Sequence, residues 1–201
     1  MYVRQIGDQT LTFGVSGMLW RENLIMYDRQ TLSWWAQATG KAIDGKLKGG
    51  VLGMYPEASM MTWAEWRKLH PNTLVLTKLT ASGLEGMSTR YREYHESSRL
   101  GVTGRLRVRD RTLPPKSLVV GFLIDDEPLT VDMTKLKAKG RAVATSQSGK
   151  RFEVAATAQG GGAQVFLLDT STGLRTTHVP ASFSYWFAWK AFFPSARLIE
   201  P

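Results

Sequence analysis

Four arginines alternate along one stretch of the chain: Arg105, Arg107, Arg109 and Arg111, separated by Leu106, Val108 and Asp110. On a β-strand successive side chains point to opposite faces, so this spacing places four guanidinium groups on one side. Such a face suits a polyanion: nucleic-acid phosphates, an acidic glycan or an anionic surface. The same pattern also serves a solvated edge strand, whose charges discourage pairing with a stranger's edge. No aromatic residue interleaves these arginines, so a stacking platform for single strands is not supported.

A second group of side chains is of the types used in hydrolysis. Gly14-Val15-Ser16-Gly17-Met18 falls one residue short of a G-x-S-x-G nucleophile elbow, with Met18 where the second glycine should stand. Asp28, Gln37 and His178 are the partners that a site assembled across the sequence would recruit beside Ser16. Ser33, Trp35, Arg90 and Tyr91 are candidate cleft residues next to them. The competing reading makes all of these turn-forming and buried hydrogen-bonding residues. None of the three histidines, His70, His95 and His178, has a carboxylate partner identifiable by spacing.

Other chemistries find no residues. The chain has no cysteine, which excludes disulfides, thiolate metal sites and a cysteine nucleophile within it. Asp125, Asp126, Glu127 and Asp132 lack the glycine and ligand spacing of a calcium loop, and no H-E-x-x-H is present, so no metal and no cofactor is expected. Gly160 to Gly162 precedes a strand and lacks a following Lys-Ser/Thr, so it reads as a hairpin loop rather than a phosphate cradle.

The elements that must position these residues follow from the rest of the sequence. With 201 residues, 43% hydrophobic and 21% charged, the composition is that of a folded domain. The formal net charge is +9, and +5 of it falls between Lys78 and Lys116. No apolar run approaches the roughly 18 residues of a membrane span, and the first residues lack the apolar stretch of a targeting signal.

An internal repeat organises the chain. Trp63, Trp66 and Pro71 recur as Trp186, Trp189 and Pro194, each at the offset 186 − 63 = 123. Both W-x-x-W segments read as short helices ended by their proline. Thr62 and Glu65 form a capping box on the first. The tryptophan pair at i and i+3 reads as a core stripe, leaving Trp20, Trp34 and Trp35 as the aromatics freer to bind. Upstream of each helix an alternating strand, an apolar strand and an Asp-x-x-Thr turn correspond, at Asp28 to Thr31 and Asp169 to Thr172. Leu118 to Ile124 and Leu129 to Met133 form a hairpin turning at Asp125 to Pro128. The expected fold is mainly β with a few short helices, as two pseudo-symmetric antiparallel units, each packed by a W-x-x-W helix. Residues 1–80 make the first unit, 81–111 a basic connector and 112–201 the second unit.

The segments LTFGVSGML, LIMYDRQT, Trp35-Ala36-Gln37 with Gly40, MTWAEWRKLHPNTLVL, LPPKSLVVGF and SYWFAWKAFFP resemble the uncharacterised prokaryotic domain-of-unknown-function family 3179 along nearly the whole chain. The resemblance implies a tandem duplication in proteins that are often exported, and no activity. It also implies a further segment upstream ending in Cys-Pro-Leu-Cys, which this sequence does not contain; the first unit lacks the hairpin that would precede Met1.

Two functions are therefore expected in competition. One is a non-catalytic binding or interaction module with Arg105 to Arg111 as its anion-contacting face. The other is a hydrolase with an Asp/Ser/His site between the units. A homo-oligomer formed through an unpaired strand edge is a further expectation.

Overall fold

Period-two alternation closed by glycine and aspartate turns dominates the chain, and the computed structural model, which describes residues 1–55, 58–75, 92–101 and 110–201, is accordingly mainly β. In the first half, β1 (Gln5–Ile6) and β2 (Gln9–Thr10) form a small hairpin. An antiparallel meander follows: β3 (Phe13–Trp20), β4 (Asn23–Asp28), β5 (Trp34–Ala36) and β6 (Lys41–Asp44). Helix α1 (Trp63–Leu69) starts at the expected capping box, with Thr62 Oγ1 accepting from the Glu65 N–H at 3.2 Å and Glu65 Oε2 accepting from the Thr62 N–H at 3.0 Å.

The second half contains β7 (Leu118–Ile124), β8 (Glu127–Asp132), α2 (Met133–Lys139), β9 (Arg141–Thr145), β10 (Arg151–Ala156), β11 (Ala163–Leu168), β12 (Arg175–Val179), β13 (Ala181–Tyr185), α3 (Trp186–Phe192) and β14 (Arg197–Ile199). Strands β9 to β12 make an antiparallel meander. A second sheet runs β13-β7-β8-β14, with β14 parallel to β8.

The alternation of β7 decides the layering. Val120, Phe122 and Ile124 face the meander and join Phe152, Val154 and Val165 in the largest buried cluster, with Phe122 and Phe152 edge to face at 5.4 Å. Val119 points the other way, to a cluster of Leu113, Trp186, Trp189 and Ala196. Between them, Gly121 lies against the Trp189 indole, where an added Cβ would come within 2.5 Å of three ring carbons. Helix α3 therefore packs on the β7–β8 sheet rather than on the β9 to β12 meander.

The repeat extends to individual turns. The turn aspartates are separated by 169 − 28 = 141, and that offset pairs Leu11 with Phe152, both fully buried. It also pairs Leu32, at φ 57°, with Gly173, at φ 71°. The helices keep their own offset of 123, so the first half holds 141 − 123 = 18 extra residues between turn and helix, which include β6.

The halves grip one another reciprocally. The start of α1 docks on the loop between β10 and β11, where Glu65 Oε1 accepts from the Gln159 N–H at 2.6 Å and Thr62 Oγ1 donates to Gln159 Oε1 at 3.1 Å. In the other direction, the hairpin tip between β3 and β4 docks on α3. Arg21 donates to the Ala191 carbonyl, and Trp20 meets Phe192 edge to face at 5.5 Å.

Candidate functional site

The turn after β4 buries Asp28 completely. Its Oδ1 accepts from the Thr31 N–H at 2.5 Å, and its Oδ2 from the Thr31 hydroxyl, the Ser33 N–H and the Trp35 indole N–H at 2.8, 3.1 and 2.9 Å. Burial pushes its pKa up, but the hydrogen bonds from Trp35, Thr31 and Ser33 outweigh that and hold it below the ordinary 3.8. Ser33 is drawn into the same knot: its hydroxyl meets that of Thr31 at 2.6 Å and accepts from the Leu47 N–H at 3.0 Å. Asp169 repeats the turn at the surface, accepting from the backbone and hydroxyls of Ser171 and Thr172.

The other hydrolytic candidates sit elsewhere. Ser16 Oγ donates to the Ile25 carbonyl at 2.5 Å and accepts from the Met18 N–H at 3.1 Å, at the irregularity between Val15 and Leu19 in the β3–β4 register. His178 lies on β12 with its ring edge to face with Phe166 at 5.2 Å. Among the described residues no hydrogen bond joins Ser16, Asp28 and His178. The structure brings together Asp28, Ser33 and Trp35, whereas Gln37 lines a separate cleft. Arg90, Tyr91, Arg105, Arg107 and Arg109 lie outside the described residues, and Arg111 is exposed.

The tryptophans divide against expectation. Trp186 and Trp189 are 1% and 6% exposed, as the core reading required, but Trp63 and Trp66 are 51% and 37% exposed. Trp35, expected to be among the freer aromatics, is fully buried, while Trp20 and Trp34 are partly exposed. Helical spacing fixes which side chains share a stripe. It says nothing of what the stripe meets, and the second stripe alone has β7 to cover it.

A cleft of about 670 Å³ lies between the halves. Phe13, Met26 and Gln37 form one wall, α3 and β13 the other, and the paired segments Ala58-Ser59-Met60 and Ala181-Ser182-Phe183 face into it. Those segments correspond at the 123 offset. Tyr2 also lines the cleft, and burial pushes its phenol up to about 12.

The repeat explains why the cleft exists. Met60 bridges Ala163 of β11, closing one junction between the halves; Gly162 makes room, since a Cβ there would lie 1.7 Å from the Met60 carbonyl oxygen. The two offsets carry that bridge onto Phe183 and Glu22, and no bridge forms there. The junction stays open at the equivalent place. Three polar atoms beside it are left over: Asn23 Oδ1, Ser184 Oγ and Trp189 Nε1 are buried without a hydrogen-bond partner, and all three residues line the cleft.

One of these orphans was legible as a substitution within the repeat. Trp66 Nε1 donates to Thr73 Oγ1 at 2.8 Å, and the residue at the corresponding position, 73 + 123 = 196, is alanine. The rest of the geometry is kept, with Trp66 over His70 at 4.1 Å and Trp189 over Phe193 at 4.3 Å.

No group of His, Asp or Glu among the described residues is arranged to hold a metal ion, and no described helix is long and apolar enough to cross a membrane. No curated protein and no solved structure matches the chain. The family model described as protein of unknown function (DUF3179) matches residues 1–196, nearly the whole chain, and the chain belongs to that family.

Proposed function

We propose that the chain is a binding module that takes an amphiphilic ligand, mostly apolar with a few hydrogen-bonding groups, into the cleft between its halves. The observation that carries this is the coincidence of three residues with an unpartnered buried polar atom, Asn23, Ser184 and Trp189, along one apolar, aromatic-walled opening. A buried polar group without a partner costs about 1–3 kcal/mol. Three such groups around a cleft wide enough for a small molecule fit the usual anatomy of a binding site, apolar walls with a few placed polar groups.

Hydrolysis has less support, because the Ser16 hydroxyl and the Asp28 carboxylate are spent on local backbone and side-chain partners. The anion-contacting face of Arg105 to Arg111 is proposed as a second, separate contact, supported by its alternation and by the exposure of Arg111. Self-association through the outer edge of β3 is likewise proposed, and light scattering across a dilution series tests it.

A thermal-shift screen of aromatic and medium-chain amphiphiles tests the cleft. A ligand at a hundred times its Kd raises stability by about 2.7 kcal/mol. Compounds that stabilise the wild type are expected to lose their effect on Ala188→Trp, which fills the cleft from α3; compounds that stabilise both proteins alike overturn the reading. Ser184→Ala and Ala196→Thr separate binding from folding. The first deletes an orphan, and the second offers Trp189 the acceptor that Thr73 gives Trp66. Both are expected to leave stability level or raised while weakening the ligand.

A further inference from the structure

The outer face of α1 is an exposed apolar feature, and no residue of the helix lines the cleft. Trp63, Trp66 and Leu69 stand 51%, 37% and 63% exposed on it, and Met60, just before the helix, is 41% exposed. None of the three helix residues belongs to the first half's buried cluster of Leu11, Trp35, Ala42 and Leu52. The chain itself shows what such a stripe meets when it is covered, because α3 is the same helix in the second half, with the same indole-over-ring packing one turn on and nearly the same backbone angles at its end, φ −125° and ψ 72° against −131° and 70°.

On α3 the cover is β7 of the β7–β8 hairpin. Trp189 lies flat on Gly121, Trp186 packs with Val119 and Leu113, and β13, the strand leading into the helix, pairs with β7 over five residues from Ala181↔Phe122 to Tyr185↔Leu118. In the first half, residues 58–62 correspond to β13, and among the described residues their one strand contact is the Met60–Ala163 bridge. Helix face and strand edge are thus open together, in the positions that β7 fills elsewhere.

We infer that the α1 face, with the adjoining edge of residues 58–62, is a docking site for an apolar β-hairpin of a partner polypeptide. That hairpin adds an antiparallel strand to the edge and sets a glycine or other small residue against Trp66, as Gly121 does against Trp189. The site borders the cleft through Ala58, Ser59 and Met60, whereas no α1 residue lines the cleft.

The test uses the chain's own hairpin as the probe. A second copy of residues 112–140 is joined ahead of Met1, the point to which the 141 offset carries the start of β9. Covalent attachment holds the hairpin at millimolar effective concentration, so one that does not fold alone still reports. Hydroxyl-radical footprinting with mass spectrometry then reads each tryptophan. Modification of Trp63 and Trp66 is expected to fall from its level in the unfused chain to that of Trp186 and Trp189, and a Gly121→Trp change in the added copy is expected to restore it. Three results overturn the inference: unchanged modification in the fused protein, both tryptophans already shielded in the unfused chain, or a dimer that Trp66→Glu dissociates, which would assign the face to a second copy. A failure here leaves the ligand screen on Ala188→Trp untouched.

Discussion

Replacing Asp28 by alanine separates a structural carboxylate from a catalytic one. The side chain is fully buried and accepts four hydrogen bonds. On its removal the Thr31 hydroxyl and the Ser33 N–H retain each other and the Ser33 hydroxyl, at 3.3 and 2.6 Å. The Thr31 N–H and the Trp35 indole N–H are stranded. At about 1–3 kcal/mol for each buried donor left unsatisfied, the loss is about 2–6 kcal/mol, a large share of a typical domain's stability. With a urea slope of about 2.5 kcal/mol per molar, the midpoint falls by about 1.5 M. Asp169→Ala is the internal control: the same turn at the surface, where water replaces the lost acceptor, so its midpoint moves far less. The acid limb adds a second reading. Since the folded pKa of Asp28 lies below 3.8, its contribution is complete above that value and fades as pH falls through the folded one. Asp28→Ala therefore flattens the acid decline. Equal losses in the two variants, or an Asp28→Ala protein of wild-type stability, would refute the account and return Asp28 to the list of catalytic candidates.

Four further outcomes are expected. Glu65, held down to about 2 by the Gln159 and Thr62 N–H groups against an ordinary 4.5, stabilises the contact between the halves fully above pH 4.5; acid titration followed by proteolysis should loosen that contact as pH falls toward 2, and Glu65→Gln should remove the dependence. Gly121→Ala drives a Cβ into the Trp189 indole and should cost about 1–3 kcal/mol in chemical denaturation; a neutral result would mean the indole is free to move. Leu32→Gly relieves a left-handed residue where the repeat already has Gly173, and should raise stability by about 0.5–1 kcal/mol, measured in the same way. Arg107→Glu with Arg109→Glu should abolish retention on heparin at low salt; unchanged retention removes the anion-contacting face from consideration.

The mainly β character, the Thr62–Glu65 cap, both Asp-x-x-Thr turns and the Asp125–Asp126 hairpin tip were legible because each is a local device, closed by residues within a few positions of one another. What the local pattern could not carry was layering. Nothing in W-x-x-W distinguishes a helix that meets β7 from one that meets solvent, so Trp63 and Trp186 read alike and stand 51% and 1% exposed. The parallel β14–β8 pairing was hidden for the same reason, since three residues near the chain's end carry no record of their partner strand. Asp28 and Trp35 were singled out for chemistry, and it is their mutual hydrogen bond, closed over seven residues, that explains why both types sit there. The cleft was legible only through divergence within the repeat, as at Thr73 and Ala196.

Unequal cores make the cleft sensitive to the weaker half. The largest buried cluster of the second half joins fourteen residues, from Val120 to Ile199, whereas that of the first joins Leu11, Trp35, Ala42 and Leu52. Hydrophobic stabilisation scales with the apolar area removed from water, so among the described residues the first half has the lower local stability and opens first. One wall of the cleft, with Phe13, Met26, Gln37 and Leu52, belongs to that half, and the other, with Trp189 and Phe193, to the stable one. A ligand bridging the two walls is lost whenever the first half opens, so by linkage it must hold that half closed. Hydrogen exchange read by mass spectrometry should therefore show β3 to β5 exchanging ahead of β7, β8, β10 and β11, with a cleft ligand slowing both sets, because opening either wall loses it, and keeping their order. Exchange of both sets at one common rate would mean that the Glu65–Gln159 and Arg21–Ala191 contacts weld the halves into a single cooperative unit, and the ligand would then protect every strand equally.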